Sequence, residues 1–526
     1  MVHRWAECTL AAITLSAALL STYWVFKVPI FQNPDENSHI DYAFSIYSAD
    51  RLLNVRRPPS EWNVHARLIE GVAGAAYDFN SHQYTLYLID STDFMRVRFH
   101  ANEKMPSDYG TASYYSNLNT KAPQGPVPGS ALQPQDNPWL LTGYPFNYYL
   151  ALAIWLKVLN LFSSGPVFLF FTARLFSVLL LVTSLILTYF LLRELHLSKR
   201  RALALTAAVG FFPMTTFISA AVQPDNLSWP LMSACFYLSL LLRRESSSIR
   251  NQILLGITLA LLLVTKYHFF LFTAFPVLGL VLAEHLFRRR SLKEFLKTLS
   301  ILTVPSVLLF AVQLWVVWGQ QITGGNLRLS RSGWIIGVKN ALVDFYRGGP
   351  ALVSYWGTFG WMDTELIIRS PATQNRIIVL LSVITLLVLT LVFFRLEQIT
   401  TRLVVLARRG RWRYALRIVF SNPLVNSNFI FSAFMVVLYA FHQGGFNAQG
   451  RHWFPYFLSG FLIATQFAPK ALSHRRTQAA MSAILLLGLL LFCSIGSYYS
   501  IQSIKDRYYG VRTSNALSSN WTVEQR

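Results

Sequence analysis

Charge is scarce in this chain. Of 526 residues only 13% are Asp, Glu, Lys or Arg, against 53% hydrophobic and 15% aromatic, whereas a soluble domain carries about 25% charged residues. Cysteine is scarcer still: Cys8, Cys235 and Cys493 lie in or beside apolar runs, with neither a pairing framework nor metal-ligand spacing. The sequence contains no Gly-x-x-x-x-Gly-Lys loop, no Gly-x-Gly-x-x-Gly after a strand and no Gly-x-Ser-x-Gly elbow, which argues against nucleotide and serine-hydrolase chemistry. No repeat of fixed period and no low-complexity tract occurs. Acidic residues number 24 against 46 basic ones, a net charge of +22. The excess is not that of a nucleic-acid binder, because the cations come in short clusters between apolar runs, as topology signals do.

What the chain has in abundance is apolar runs of roughly 17 to 25 residues, the length a bilayer core demands. The fold class expected is therefore an all-α polytopic membrane protein. Five basic clusters mark one side: Arg193 to Arg201, Arg243 to Arg250, Arg288 to Lys297, Arg395 to Arg417, and Lys470 to Arg476. The positive-inside rule puts all five in the cytoplasm. About eleven transmembrane helices follow, near residues 9–29, 166–192, 202–222, 227–242, 252–265, 269–287, 298–318, 376–394, 427–442, 453–469 and 479–498. The first run, which continues through Trp24 and Phe26 without a small-residue cleavage site, reads as a retained span. If residues 139–162 also crossed, the Arg193 cluster would be exported. Their aromatic and polar start, Gly143-Tyr144-Pro145-Phe146-Asn147-Tyr148-Tyr149, instead suits a helix lying at the external membrane surface. Residues 122–138, rich in Pro and Gly, are expected to be irregular, and Leu403 to Ala407 between arginines suggests a cytoplasmic surface helix. The chain then divides into a module of residues 1–318 with a large extracytoplasmic loop at 30–165, a second external loop at 319–375, C-terminal helices at 376–498 and an external tail at 499–526. The protein is expected in the cytoplasmic (inner) membrane, with its N-terminus in the cytoplasm.

The first external loop opens with Asn33-Pro34-Asp35-Glu36-Asn37-Ser38-His39. Asn33 and Pro34 suit a helix start, and two carboxylates suit the positive end of its dipole. The same spacing puts Asp35, Glu36 and His39 near one face at an apolar boundary, where desolvation raises a carboxylate toward a usable general base. A divalent metal is an alternative use of that trio. Gln223-Pro224-Asp225-Asn226 is an external turn, and Lys266 sits where two spans meet with almost no loop, either snorkelling or meeting an anion. Gln449-Gly450-Arg451-His452-Trp453 follows two glycines, so a guanidinium suited to phosphate stands at the mouth of the bundle. One acidic and two cationic sites thus border one external cavity, the combination that an anionic lipid and a proton-accepting reaction need.

These residues resemble the GT-C superfamily of membrane glycosyltransferases, and most closely the group catalogued as domain-of-unknown-function family 2142. The pieces that carry the resemblance are Pro34-Asp35-Glu36-x-x-His39, Pro224-Asp225-Asn226, Thr265-Lys266-Tyr267, the stretch from Trp356 to Thr364, and Gln449 to Pro455. The family often has Tyr where His452 stands. The resemblance implies a GT-C-like fold with membrane-surface helices in the first external loop. It also implies an activity: transfer of a sugar from a polyprenyl-phosphate donor to a cell-envelope glycan or lipid acceptor at the extracytoplasmic face. Asp35 would accept the acceptor's proton, with Glu36 or His39 orienting it. Lys266 and Arg451 would bind the donor phosphate, and Asp225, Trp356, Trp361, Asp363, Gln449 and His452 would contact substrate. The partners implied are the lipid-linked donor, the acceptor and the bilayer, with no nucleic acid. A lipid-linked-glycan ligase or polymerase, or a glycolipid flippase, would share much of this pattern; a transporter would place ionisable groups near mid-span.

The topology has a direct check. Single cysteines at Gly143 and Ser163, in a background without the native cysteines, should both react with an impermeant thiol reagent added outside. Protection of Ser163 would show that residues 139–162 cross.

Overall fold

The computed structural model describes residues 5–28, 33, 36–48, 76–78, 83–89, 94–100, 144–163, 166–244, 248–289, 291–317, 357–359, 364–365, 371–441, 456–509 and 522–525. Helices dominate, and they fall where the apolar runs predicted. In chain order they are α1 (Trp5–Lys27), α2 (Glu36–Ser48), α3 (Asn147–Leu159), α4 (Pro166–Glu194), α5 (Lys199–Gly210), α6 (Pro213–Ile218), α7 (Asp225–Arg244), α8 (Ile249–Leu263), α9 (Tyr267–Phe287), α10 (Leu292–Val317), α11 (Pro371–Arg408), α12 (Trp412–Val419), α13 (Pro423–Phe441), α14 (Phe457–Leu462) and α15 (Arg475–Tyr509). Among the described residues, six helices are long and apolar enough to cross a membrane: α1, α4, α9, α10, α11 and α15. That the remaining expected spans also cross is a proposal.

Two expected spans are broken helices. Pro213 opens α6 directly after α5, since proline fits a first helical turn but not an interior. Beyond α14 the chain tightens and loosens, through a π turn at Ile463–Phe467 and a 3-10 turn at Ala468–Ala471 that contains Pro469. The surface helix expected around residues 403–407 is not a separate element. Those residues continue α11, which runs unbroken for 38 residues because nothing between Pro371 and Arg408 stops it. The short amphipathic helix at that surface is α12, bounded by Gly410 at a φ of 67°.

α3 has only 13 residues, about 20 Å at 1.5 Å per residue and too short for a bilayer core of about 30 Å. It buries Tyr148, Tyr149, Leu152, Ala153 and Leu156 against α2 and α4 and exposes Ile154 and Val158, and the turn after it exposes Leu161 and Phe162. Those exposed apolar residues have the character of a helix lying in a membrane interface.

The main core joins α1, α4, α5, α7 and α9 through Trp24, Phe212, Phe217, Trp229 and Phe269. Backbone approaches backbone closely where α8 crosses α10. A Cβ on Gly256 would stand 2.5 Å from the Ile301 carbonyl oxygen, so only glycine lets the two backbones approach this far. Outside the helices, β1 (Ala76–Asp78), β2 (Gln83–Ile89) and β3 (Phe94–His100) form an antiparallel sheet. The C-terminal strand β6 (Thr522–Gln525) completes it by pairing Val523 with Val97. A two-stranded ladder pairs β4 (Thr358–Phe359) with β5 (Thr364–Glu365).

The basic clusters converge at one end of the bundle. Arg243 from α7, Arg288 after α9 and Arg417 from α12 all bond the buried carboxylate of Glu284, at 3.2, 3.4 and 2.8 Å. Three clusters assigned to one side by charge alone therefore meet on a single side chain.

Candidate functional site

At the opposite end, roughly 27 Å along α9 from Glu284, the four described residues of the predicted site, Glu36, His39, Asp225 and Lys266, lie around α2, α3 and two tight turns. Glu36 is the first residue of α2 and is fully buried. Its carboxylate lies in the fork of Arg174 from α4, Nε to Oε1 at 2.8 Å and Nη2 to Oε2 at 2.6 Å, with both side chains at 0% exposure. The Val222 backbone N–H donates to Oε1 at 3.2 Å, and the Asn33 amide reaches both oxygens at 3.3 Å. Arg174 spends its other donor, Nη1, on the carbonyls of Val25 and Val28, closing the C-terminal end of α1. Its guanidinium also stands 4.7 Å from the Phe170 ring centre. Arg174 therefore ties together α1, α2 and α4, and through Glu36 the 222–226 turn. The sequence signal for it was an arginine inside an apolar run, which membrane energetics reserves for a paired role.

The second ion pair follows within three residues of Val222. Asp225, the first residue of α7, bonds Lys266, the residue before α9. The Asn226 amide donates to the carbonyls of Ile218 and Ala221 at 3.0 and 2.8 Å, so Asn226 shapes the turn. Lys266 also stands 5.2 Å from the Phe269 ring centre. Two buried acids are thus each matched by a base, Arg174 fully buried and Lys266 half-buried, as carboxylates held away from water must be.

His39 lies one helical turn beyond Glu36 but faces different neighbours. Its Nδ1 shares a 2.8 Å hydrogen bond with the Tyr149 hydroxyl, and its ring sits edge-on to Tyr144. Tyr42 packs on Tyr149 with ring centres 4.2 Å apart. Burial pushes the phenols of Tyr42, Tyr148 and Tyr149 well above the ordinary tyrosine range, so all three stay neutral. α3 carries this aromatic group and also holds the Lys266 turn. The Asn147 amide reaches Thr265 Oγ1 at 2.7 Å and the Leu261 carbonyl at 3.2 Å, its backbone N–H bonds the Val264 carbonyl, and the Phe146 N–H donates to Gln313. The Tyr144–Tyr149 stretch, legible in sequence only as interfacial, is thus the brace between the acidic helix and the Lys266 turn.

Of the Trp356–Thr364 stretch, Phe359 is described: it is fully buried, its ring parallel to Trp24 at 6.4 Å and edge-on to Phe217 at 5.1 Å. Asp35, Trp356, Trp361, Asp363, Gln449, Arg451 and His452 lie outside the described residues, as do residues 122–138. Among the described residues no group of three His, Cys, Asp or Glu side chains is placed to hold a metal ion. A carboxylate clasped in a guanidinium fork is not disposed as a metal ligand, so Glu36 does not fit the metal alternative with Asp35 and His39.

The family model described as "Predicted membrane protein (DUF2142)" matches residues 19–459. The chain belongs to this family. No curated protein matches it. Among solved structures it is similar to the oligosaccharyltransferase of Archaeoglobus fulgidus. One, tethered with an acceptor peptide, has 13% identity and a TM-score of 0.40 over 98% of this chain and 56% of that one. Another, in complex with an inhibitory peptide and a dolichol-phosphate, has 13% identity and a TM-score of 0.39 over 96% and 56%. A third, with zinc and sulfate, has 15% identity and a TM-score of 0.37 over 71% and 45%. The chain spans about half the length of these proteins.

The Glu36 clamp makes a stability prediction. Glu36→Gln leaves a buried guanidinium without its counter-charge and should cost about 3 to 5 kcal/mol, read as a lowered thermal midpoint in detergent. Glu36→Leu combined with Arg174→Met should recover part of that loss, the remainder reflecting the Val25 and Val28 carbonyls left open. Simple additivity of the two single substitutions would show that the pair is not coupled.

Proposed function

We propose that this chain is a membrane glycosyltransferase that moves a sugar from a polyprenyl-phosphate donor to a cell-envelope glycan or lipid acceptor at the extracytoplasmic face. The observation that carries the reading is the pair of linked ion pairs at one end of the bundle. Glu36–Arg174 holds the start of α2 against Val222, and Asp225–Lys266 follows three residues later. An acidic segment and a cation are thereby held together where lipid head groups lie.

Roles follow from what each side chain has left to give. Glu36 is occupied by Arg174, Val222 and Asn33, so it positions the segment, and the base falls to its chain neighbour Asp35. In the step proposed, an acceptor hydroxyl oxygen attacks the anomeric carbon as its proton passes to Asp35. The bond from that carbon to the phosphate oxygen breaks, and its electron pair leaves with the polyprenyl phosphate. Lys266, held by Asp225 until a stronger anion arrives, and Arg451 balance the charge that builds on the departing phosphate. Tyr144, half-buried and edge-on to His39, offers a stacking face to a sugar or acceptor, with Asp363, Trp356, Trp361, Gln449 and His452 contributing from the later external stretches. No step uses a metal.

Two measurements test this. Asp35→Asn preserves size and helix-start geometry but removes the base, so sugar transfer from a polyprenyl-phosphate donor should fall by about a hundredfold to ten-thousandfold at matched stability. Retention of more than about a third of the rate, well outside that range, would reduce Asp35 to a helix-start residue. For Lys266, the single change to Ala strands Asp225 and weakens the fold, so the informative variant is Lys266→Ala with Asp225→Ala. Stability should return in the double variant while the donor KM stays raised by about tenfold or more, the value of a lost charge-assisted contact. Recovery of both would leave the lysine a structural partner of Asp225 only.

A further inference from the structure

At the basic end of the bundle, two groups of cations are treated differently by the fold. Arg243, Arg288 and Arg417 share the carboxylate of Glu284. A second group forms around the irregular turn at residues 463–471. Arg201, near the start of α5, donates to Gln466 Oε1 at 3.3 Å. Arg395 of α11 places its guanidinium 6.0 Å from the Phe467 ring centre, and Gln398, one turn along, donates to the Ala471 carbonyl at 2.9 Å. Lys470 stands on the turn between these contacts. Among the described residues, Arg201, Arg395 and Lys470 have no ion pair with any carboxylate, and Arg395 Nε is buried without a hydrogen-bond partner.

Three elements therefore bring three cations to one small region, with no ion-paired carboxylate among the described residues. Lys470 keeps an exposed surface, yet partial desolvation of its amine and the nearby charges of Arg395 and Arg201 hold it below the usual lysine range. Beside Arg395 the surface turns apolar: Phe393, Phe394 and Leu396 are exposed, as on a helix facing lipid tails. A phosphodiester with two acyl chains matches both halves of this surface, whereas a free anion matches only the first. Basic pockets between membrane helices on the positive side take anionic head groups for the same electrostatic reason.

We propose that Arg201, Arg395 and Lys470, arranged around the Ile463–Ala471 turn, bind the phosphate head group of an anionic phospholipid in the leaflet on the basic side. The site is separate from the proposed catalytic end. Its occupant supplies the negative charge that closes the seam between α5, α11 and the 463–471 turn.

The test uses the full chain purified in neutral detergent and titrated with phosphatidylglycerol, phosphatidylcholine or inorganic phosphate, reading bound lipid by native mass spectrometry and the thermal midpoint in parallel. Phosphatidylglycerol should bind and raise the midpoint, and the other two should not. Each charge near an anionic head group contributes roughly fivefold in affinity. Arg201→Gln, Arg395→Gln and Lys470→Gln together should therefore weaken phosphatidylglycerol by on the order of a hundredfold. Each single substitution should give its own smaller loss, which keeps the test decisive if the triple variant does not fold. Equal binding of phosphatidylglycerol by wild type and variants, or an equal response to inorganic phosphate, would overturn the proposal.

Discussion

Arg174 and Glu36 are a charged pair with no access to water, and the proposed catalytic end of the molecule is organised around them. An isolated ion at that depth is costly, and each partner is tolerated only because the other is within 2.6 to 2.8 Å in fork geometry. The arrangement leaves little freedom. Arg174 must also satisfy the carbonyls at the end of α1, and Glu36 must also accept from Val222, so α1, α2, α4 and the 222–226 turn are set relative to one another by a single network. Buried polar networks of this kind constrain geometry strongly, because any displacement leaves a charge unpaired.

From that constraint the rest of the proposed site follows in steps of a few residues. Val222 is fixed, so Asp225 is delivered at the head of α7. Asp225 is buried, so it needs Lys266, and Lys266 is brought by a turn that Asn147 holds from the other side. Asn147 begins α3, whose Tyr149 two residues later bonds His39 on α2. The chain of contacts returns to its start, with α3 spanning the two halves. In the mechanism proposed, such bracing is what keeps a base and a phosphate-balancing cation in register, which electrostatic stabilisation requires before the reaction begins.

The two ends of the bundle handle charge by different rules. At the acidic end the described buried carboxylates, Glu36 and Asp225, each pair with a base. At the basic end, Glu284 is outnumbered by arginines and the group around Lys470 has no acid among the described residues. The excess of cations at that end is what an anionic lipid, as proposed, is suited to balance.

Much of the fold was legible in the sequence because its signals are additive and local. Apolar run length located the helices, and cluster sign showed which ends meet, as Arg243, Arg288 and Arg417 do on Glu284. Residues 395–408 were misjudged because alternating arginine and leucine describe a surface equally well on a separate helix or on the end of a long one. At the site, composition and spacing singled out Glu36, His39, Asp225 and Lys266 but assigned partners by proximity in sequence. Glu36 and His39, three residues apart, look in different directions, one to Arg174 and the other to Tyr149, 138 and 110 residues further along the chain. The sequence by itself determined which residues are too costly to bury alone. Only the tertiary structure decided which of them pair, because pairing depends on where distant helices cross, and no local pattern encodes that.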